Sequence, residues 1–447
     1  MNSIVGRLKG FGGEAWAWMS YDFANSAFAT SITAVIFNKY YAGVIAGGPQ
    51  GTDFHLFGRA FNLPGASLFQ LSIFFGTILT ILLSPFLGIY ADLSGKKKKL
   101  LIWVTAVGGI STAGLAFIGP GDAIAGGILY GIALCMFLLA LNFYNAFLPQ
   151  ICKPRDIGLV SGFSWAIGYI GGGLCLLLNL IMLEKPELLG FEPGTFGMGH
   201  VILSVVLWWW IFSLPTFTGV KERPPRPNRA THSPNPRAVI QSLLRTLKEM
   251  KRFRQLWIFL LAYLFFTNGI ETTISSASIF GDQELHMSTG SLITLFLLVQ
   301  FTAFPGAILF GFLVDRIGNK KALSLALCIW MLALVWVYNL GYLLDPVTEF
   351  HFAAVMVGLV LGGSQAAARS LFASFTPPQR SAEFFSFYGV AGRLASLMGP
   401  LSFAAVNIAT RSLRHAIIAM LIFFLIGLII LTRINEAEGI RSAEQNG

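Results

Sequence analysis

Four ionisable side chains, Asp22, Glu271, Arg369 and Arg393, fall inside predominantly apolar stretches long enough to cross a bilayer. An ionised group at the centre of hydrocarbon costs about 2.5–3.5 kcal/mol on insertion scales, so each is a functional candidate by default. Asn25 and Ser26 follow Asp22 on one helical face, and Asn268 and Glu271 repeat the three-residue spacing, with Thr272 and Ser275 beyond them. A carboxylate beside an amide can hold a polar solute, or exchange a proton as its surroundings change. Arg393 needs anions near it. They could be carboxylates of Asp22, Glu271 or Glu383, or a carboxylate or phosphate on a bound solute, which the guanidinium fork takes bidentately. A fixed ion pair between helices is the equal alternative for Arg393, whereas Arg369, nearer the inner end of its run, better suits a structural or gating role. Asn142, Tyr144, Asn145, Gln300, Ser364 and Gln365 could line a hydrated path or glue helices together.

The elements that must position these groups follow from composition. Of 447 residues, 55% are hydrophobic and 12% charged, against about 25% charged in ordinary globular chains. The mean hydropathy of +0.69 leaves more apolar side chain than one soluble core can hide, so lipid must be the solvent. Runs of about 20 apolar residues occur at 15–41, 66–91, 99–119, 123–149, 157–182 and 198–219. Six more lie at 255–280, 289–314, 321–343, 350–375, 383–409 and 414–432. An all-α polytopic membrane protein with twelve transmembrane helices in two six-helix bundles is expected. Its divisions fall at 1–219, a basic cytoplasmic linker at 220–254, and 255–447. The polar start MNSIVGRLKG reads as retained rather than as a cleaved signal.

Basic residues orient the helices, because cytoplasmic loops retain Lys and Arg. With both termini inside, 24 of the 31 Lys and Arg residues fall on the inner side, five on the outer, and two within spans. The formal charge of +10 is thus topology rather than an affinity for nucleic acid. From about 238 to 254 the linker sets Leu243, Leu244, Leu247 and Met250 among basic residues, the pattern of an amphipathic helix on the membrane surface, with nucleic acid or a calmodulin-like partner as the alternative. Cys135, Cys152, Cys175 and Cys328 show no metal-ligand spacing, and no cofactor or metal is expected.

A repeat divides the chain. GIYADLSGKKKKL from Gly88 matches GFLVDRIGNKKAL from Gly311, an offset of 223 in 447 residues. Gly88 matches Gly311, Asp92 matches Asp315, Gly95 matches Gly318, and Lys97 and Lys98 match Lys320 and Lys321. Glycines allow a sharp turn and close helix approach, and the Asp can cap a neighbouring helix or meet a base when the inner side closes.

These loops resemble the signature motif of the major facilitator superfamily, which implies two six-helix bundles working by alternating access. Trp18–Phe28, Ser161–Gly173 and the segment from Gly362 (GGSQAAARSLFASFTPPQRSAEFFSFYGVAGRLASLMGPL) resemble the branch of autophagy-related vacuolar amino-acid effluxers and their bacterial relatives. That branch carries Asn-Asp-Gly in span seven, where this chain has Thr267-Asn268-Gly269 with Glu271 one turn on. Gly168–Gly173 reads as a packing surface, since a phosphate loop follows a strand and no strand is expected.

No G-x-x-x-x-G-K-[ST] sequence is present, so ATP does not drive the process in this chain. A monomeric secondary transporter in a bacterial cytoplasmic membrane is expected, moving a small polar or zwitterionic solute with Asp22 as the proton site. The abundant Phe would also suit efflux of amphipathic drugs or lysolipids. A membrane enzyme would need a surface cluster that the scattered His55, His200, His232, His286, His351 and His415 do not form. A transporter-like receptor is the third class.

Overall fold

The computed structural model describes residues 12–56, 59–153, 156–223, 237, 240–241, 244, 252–287 and 289–445. Hydrocarbon offers no partner to a backbone N–H or C=O, so the apolar runs close their hydrogen bonds internally as helices. The first half holds α1 (Gly13–Ala27), α2 (Gly65–Ser94), α3 (Lys97–Gly114), α4 (Ala123–Asn145), α5 (Ile157–Glu184) and α6 (Met198–Gly219). The second holds α7 (Arg254–Gln283), α8 (Thr289–Ile317), α9 (Asn319–Tyr338), α10 (Pro346–Ser374) and α11 (Ser381–Thr410). α12 (Leu413–Ala419) and α13 (Leu421–Thr432) form its last run, followed by the short polar α14 (Glu436–Gln445).

Among the described residues, ten helices are long and apolar enough to cross a membrane. The first and eleventh runs are helical without meeting that measure. After α1 the chain winds wide, as π-helix at Phe28–Val35 and again at Tyr41–Ile45, a distortion that concentrates at functional sites. α11 spans 30 residues but carries Glu383 and Arg393.

Two features depart from expectation. A hairpin of β1 (Thr52–Leu56) and β2 (Arg59–Leu63) stands where no strand is expected, with Asp53 opposite Asn62. The second strand, RAFNL, sets Ala60 and Phe61 side by side and so lacks the strict alternation that marks a strand in sequence. Most of the amphipathic helix expected at 238–254 lies outside the described residues, of which 237, 240, 241 and 244 are helical.

The chain forms two compact units. One comprises residues 1–87, 94–144 and 170–224, the other 88–93, 145–169 and 225–447. In the first, Phe28, Tyr41, Phe69, Tyr130, Phe137 and Trp209 make an aromatic core. Gly171 and Gly172 lie directly against α1, where a Cβ would meet the backbone at Phe23 and the Thr30 hydroxyl. In the second, Gly306 of α8 and Gly358 and Gly362 of α10 leave no room for a methyl group between the two helices.

Candidate functional site

Within the second unit, the last turns of α2, which run on through Asp92 into the stretch expected as a loop, are fastened to the start of α11. The Asp92 carboxylate accepts from the backbone N–H of Glu383 at 2.8 Å and of Ala382 at 3.3 Å. A carboxylate there answers both the unsatisfied amides and the positive end of the helix. Gly88 permits the approach, since a Cβ would lie 2.5 Å from the Ala382 carbonyl oxygen. Beside this cap, Arg380 donates to Glu383 at 2.9 and 3.2 Å, both side chains being almost fully buried. The guanidinium also lies over the Phe253 and Phe384 rings. Gln150 donates to Ser381 Oγ at 3.1 Å and to the Pro378 carbonyl.

One helix away, Arg369 gathers residues from three elements. It donates to Ser161 Oγ at 2.9 Å, to the Ser161 carbonyl at 2.7 Å and to Asn145 Oδ1 at 3.3 Å, with Trp165 under its guanidinium. Ser161 Oγ in turn donates to the Ala366 carbonyl, and Tyr169 donates to Gln365 at 2.6 Å. Asn145, Gln365 and Arg369, scattered in sequence, thus share one polar seam of α4, α5 and α10.

The second motif loop is built on the same plan. Gly311 packs against Gly162, and the Asp315 carboxylate lies 3.3 Å from where a Cβ on Gly158 would stand, in the first turn of α5. Both motif aspartates therefore sit at the start of a helix, Asp92 at α11 and Asp315 at α5. Gly95 and Gly318 take the left-handed φ values of 65° and 87° that end α2 and open α9, which glycine adopts without penalty.

Two residues of these assemblies escape the sequence reading. Glu222, just past α6, accepts from the N–H of Lys98 at 2.9 Å and of Lys99 at 3.4 Å, capping α3, while Lys98 Nζ donates to the Val220 carbonyl. Glu436, just past α13, accepts from the N–H of Asn319 and Lys320 at 3.1 and 3.2 Å, capping α9, while Lys320 Nζ donates to the Thr432 and Ile434 carbonyls. Geometry pairs Lys98 with Lys320, one residue off the sequence match, and leaves Lys321 exposed and Lys97 buried. The signal available was a Glu shortly after the sixth run of each half, Glu222 past Gly219 and Glu436 past Thr432.

The remaining candidates divide between the units. In the first, Asp22 and Asn25 are buried on α1, and the Asn25 amide nitrogen has no hydrogen-bond partner among the described residues. Asn142 donates to Ser84 at 2.7 Å, and Tyr144 stacks on Trp18 at 4.4 Å. In the second, Asn268 is buried with its amide nitrogen likewise unpartnered, Glu271 is exposed on α7, and Arg393 is half-buried on α11. Gln300 is half-buried on α8, outside both polar clusters.

The whole chain has close kin. The family model described as "Vacuole effluxer Atg22 like" matches residues 13–159 and 155–444. The chain is 29% identical over 434 residues to the Uncharacterized MFS-type transporter YxiO of Bacillus subtilis (strain 168), covering 96% of each chain. It is 23% identical to autophagy-related protein 22 of Saccharomyces cerevisiae (strain ATCC 204508 / S288c), covering 85% of this chain and 79% of that one. The proton:xylose symporter XylE bound to 6-bromo-6-deoxy-D-glucose matches with a TM-score of 0.71 at 13% identity, covering 97% and 98% of the two chains. That likeness shows the major facilitator fold, twelve helices in two halves, of an integral membrane protein. Matched over almost its full length, the chain belongs to the vacuole effluxer Atg22-like family.

Proposed function

We propose that this protein is a secondary transporter that moves a small polar or zwitterionic solute by alternating access. The observation that carries the reading is the Asp92 cap on α11. Charge-assisted bonds on a helix end can form and break as a unit, as a gate must, and the Arg369 seam gives the same inner ends a second set of polar contacts. The relatives' names, an effluxer family and an MFS-type transporter, support transport rather than catalysis.

Asp22 is the proposed proton site, with Asn25, Asn142 and Tyr144 as proposed polar groups of the same unit. Asn268, Glu271 and Arg393 are the proposed solute contacts of the second half, with Gln300 and Gln365 as further polar lining. A monomer in a bacterial cytoplasmic membrane is part of the proposal, with both termini inside on the count of basic loops.

Purified protein in proteoliposomes, given labelled small solutes under an imposed proton gradient, should show saturable uptake that collapses with the gradient. Asp22→Asn should keep binding and lose the dependence on the gradient. Uptake by Asp22→Asn at the unchanged rate, still responding to pH, would remove Asp22 from coupling. Saturable affinity for cationic dyes or detergents with none for polar solutes would overturn the substrate class.

A further inference from the structure

Between the polar seam at Arg369 and the charge at Arg393 lies a column of three aromatic rings, each from a different helix. Tyr263 of α7 stacks on Tyr388 of α11 at 4.2 Å between centroids and 25° between planes. Tyr388 stacks in turn on Phe372 of α10 at 4.8 Å and 30°. The top of the column lies next to the turn of α11 that carries Arg393: the Tyr263 hydroxyl lies 3.2 Å from where a Cβ on Gly392, the preceding residue, would stand. Glu271 stands two turns further along α7 from Tyr263, within the field of Arg393. The foot of the column touches the gate, because Phe372 is fully buried one turn past Arg369 on α10. Phe372 also packs edge-on against Phe385, two residues past Glu383. Tyr388 itself lies in the field of both Arg369 and Arg393.

Stacked rings held at both faces cannot turn one at a time without opening a gap in a packed interior. A change of charge at Glu271 or Arg393 that shifts Tyr263 must therefore shift Tyr388 and Phe372 together, and with them α10 and the first turns of α11. We infer that Tyr388 is a positioning residue that couples the charge state at Glu271 and Arg393 to the Asp92-capped gate through the Tyr263–Tyr388–Phe372 column. This rests on the transport reading for its purpose, but its test needs no substrate.

The experiment uses the full chain in lipid nanodiscs and follows amide hydrogen exchange across 381–386, which contains the two N–H groups capped by Asp92. Glu271→Gln serves as the perturbation, since it removes the charge that a bound cationic group would neutralise. In the otherwise native chain it should change exchange at 381–386 by about fivefold, the lower range of allosteric couplings. In a Tyr388→Leu background the same perturbation should change exchange by less than about twofold on the same scale. Tyr388→Phe, which keeps the ring and loses only the hydroxyl, should restore the full response. A merely structural Tyr388 would alter exchange in both backgrounds alike and leave the response to Glu271→Gln intact, and that result overturns the relay. So does an unchanged exchange rate on Glu271→Gln in the native background. Should Tyr388→Leu fail to fold, Phe372→Met breaks the same column from α10 and must abolish the response equally. Coupling without any proteoliposome uptake would sink the transport reading and leave the relay standing; uptake without coupling would sink the relay alone.

Discussion

The two motif loops are copies in sequence and unequal in the structure. Asp92 holds two backbone amides of α11 beside a buried Arg380–Glu383 pair and the Gln150 contacts. Asp315 faces the first turn of α5 at Gly158, and in the register that matches Gly158 with Ala382, the position of Glu383 is occupied on α5 by Leu159. Duplication kept the backbone device, a carboxylate offered to a helix start, while the charged pair behind it stands at α11. Among the described residues, the buried ion pair thus accompanies the first motif.

That asymmetry can be broken from the strongest link downward. Glu383→Gln leaves the buried Arg380 guanidinium facing a neutral amide in place of its carboxylate, and such losses cost about 3–5 kcal/mol. A fall in melting temperature larger than for any other variant here is expected, and a shift no greater than that of a surface Glu→Gln control would refute it. Next comes Asp92→Asn, which weakens two charge-assisted bonds worth about 1.5–3 kcal/mol each. Amide exchange at Ala382 and Glu383 should quicken at least tenfold. Asp315→Asn should quicken exchange at 157–160 by a smaller factor, and the opposite order would reverse the comparison.

A second contrast concerns the clips beneath each half. Glu436→Gln should destabilise by about 1 kcal/mol, in the range of a helix cap. Its neighbours share the load, because Glu438 accepts from Gln255 and Ser442 donates to the Arg252 carbonyl. Glu222→Gln should cost a similar amount, measured as denaturant midpoints, unless the clips differ in kind. The smallest effect is at Glu14, which pairs with Arg223 at 2.7 Å in the position where the second half has α14. Burial pushes its carboxyl up, but the hydrogen bond and charge of Arg223 and the N–H of Lys221 outweigh it and hold it below the ordinary 4.5. A carboxyl lowered on folding stabilises above its unfolded value, and that contribution disappears as pH falls from about 4.5 through the folded value. Exposed as the pair is, less than about 1 kcal/mol is at stake. Glu14→Gln should flatten the pH dependence of melting in that window alone.

What was legible in the sequence was what hydropathy and repetition encode. The helices follow from apolar runs, and the motif turns from two copies of one pattern. The caps by Glu222 and Glu436 were hidden because each joins residues more than a hundred positions apart, and a Glu after a span looks like any loop charge. The lysine register slipped by one because the run Lys96 to Lys99 aligns equally well in several frames. The ring column was invisible among 40 Phe and 11 Tyr residues, since only packing distinguishes a stacked ring from one facing lipid. The hairpin and the π-wound stretch after α1 depend on local backbone choices that periodicity does not record.

The glycine seam between α8 and α10 sets a rule for mutational tolerance. Alanine is ordinarily the gentlest replacement within a helix, yet at Gly306, Gly358 and Gly362 even alanine is excluded, because the first methyl already has nowhere to go. A deep mutational scan should therefore show these three positions losing every amino-acid replacement together, marking two helices packed backbone to backbone.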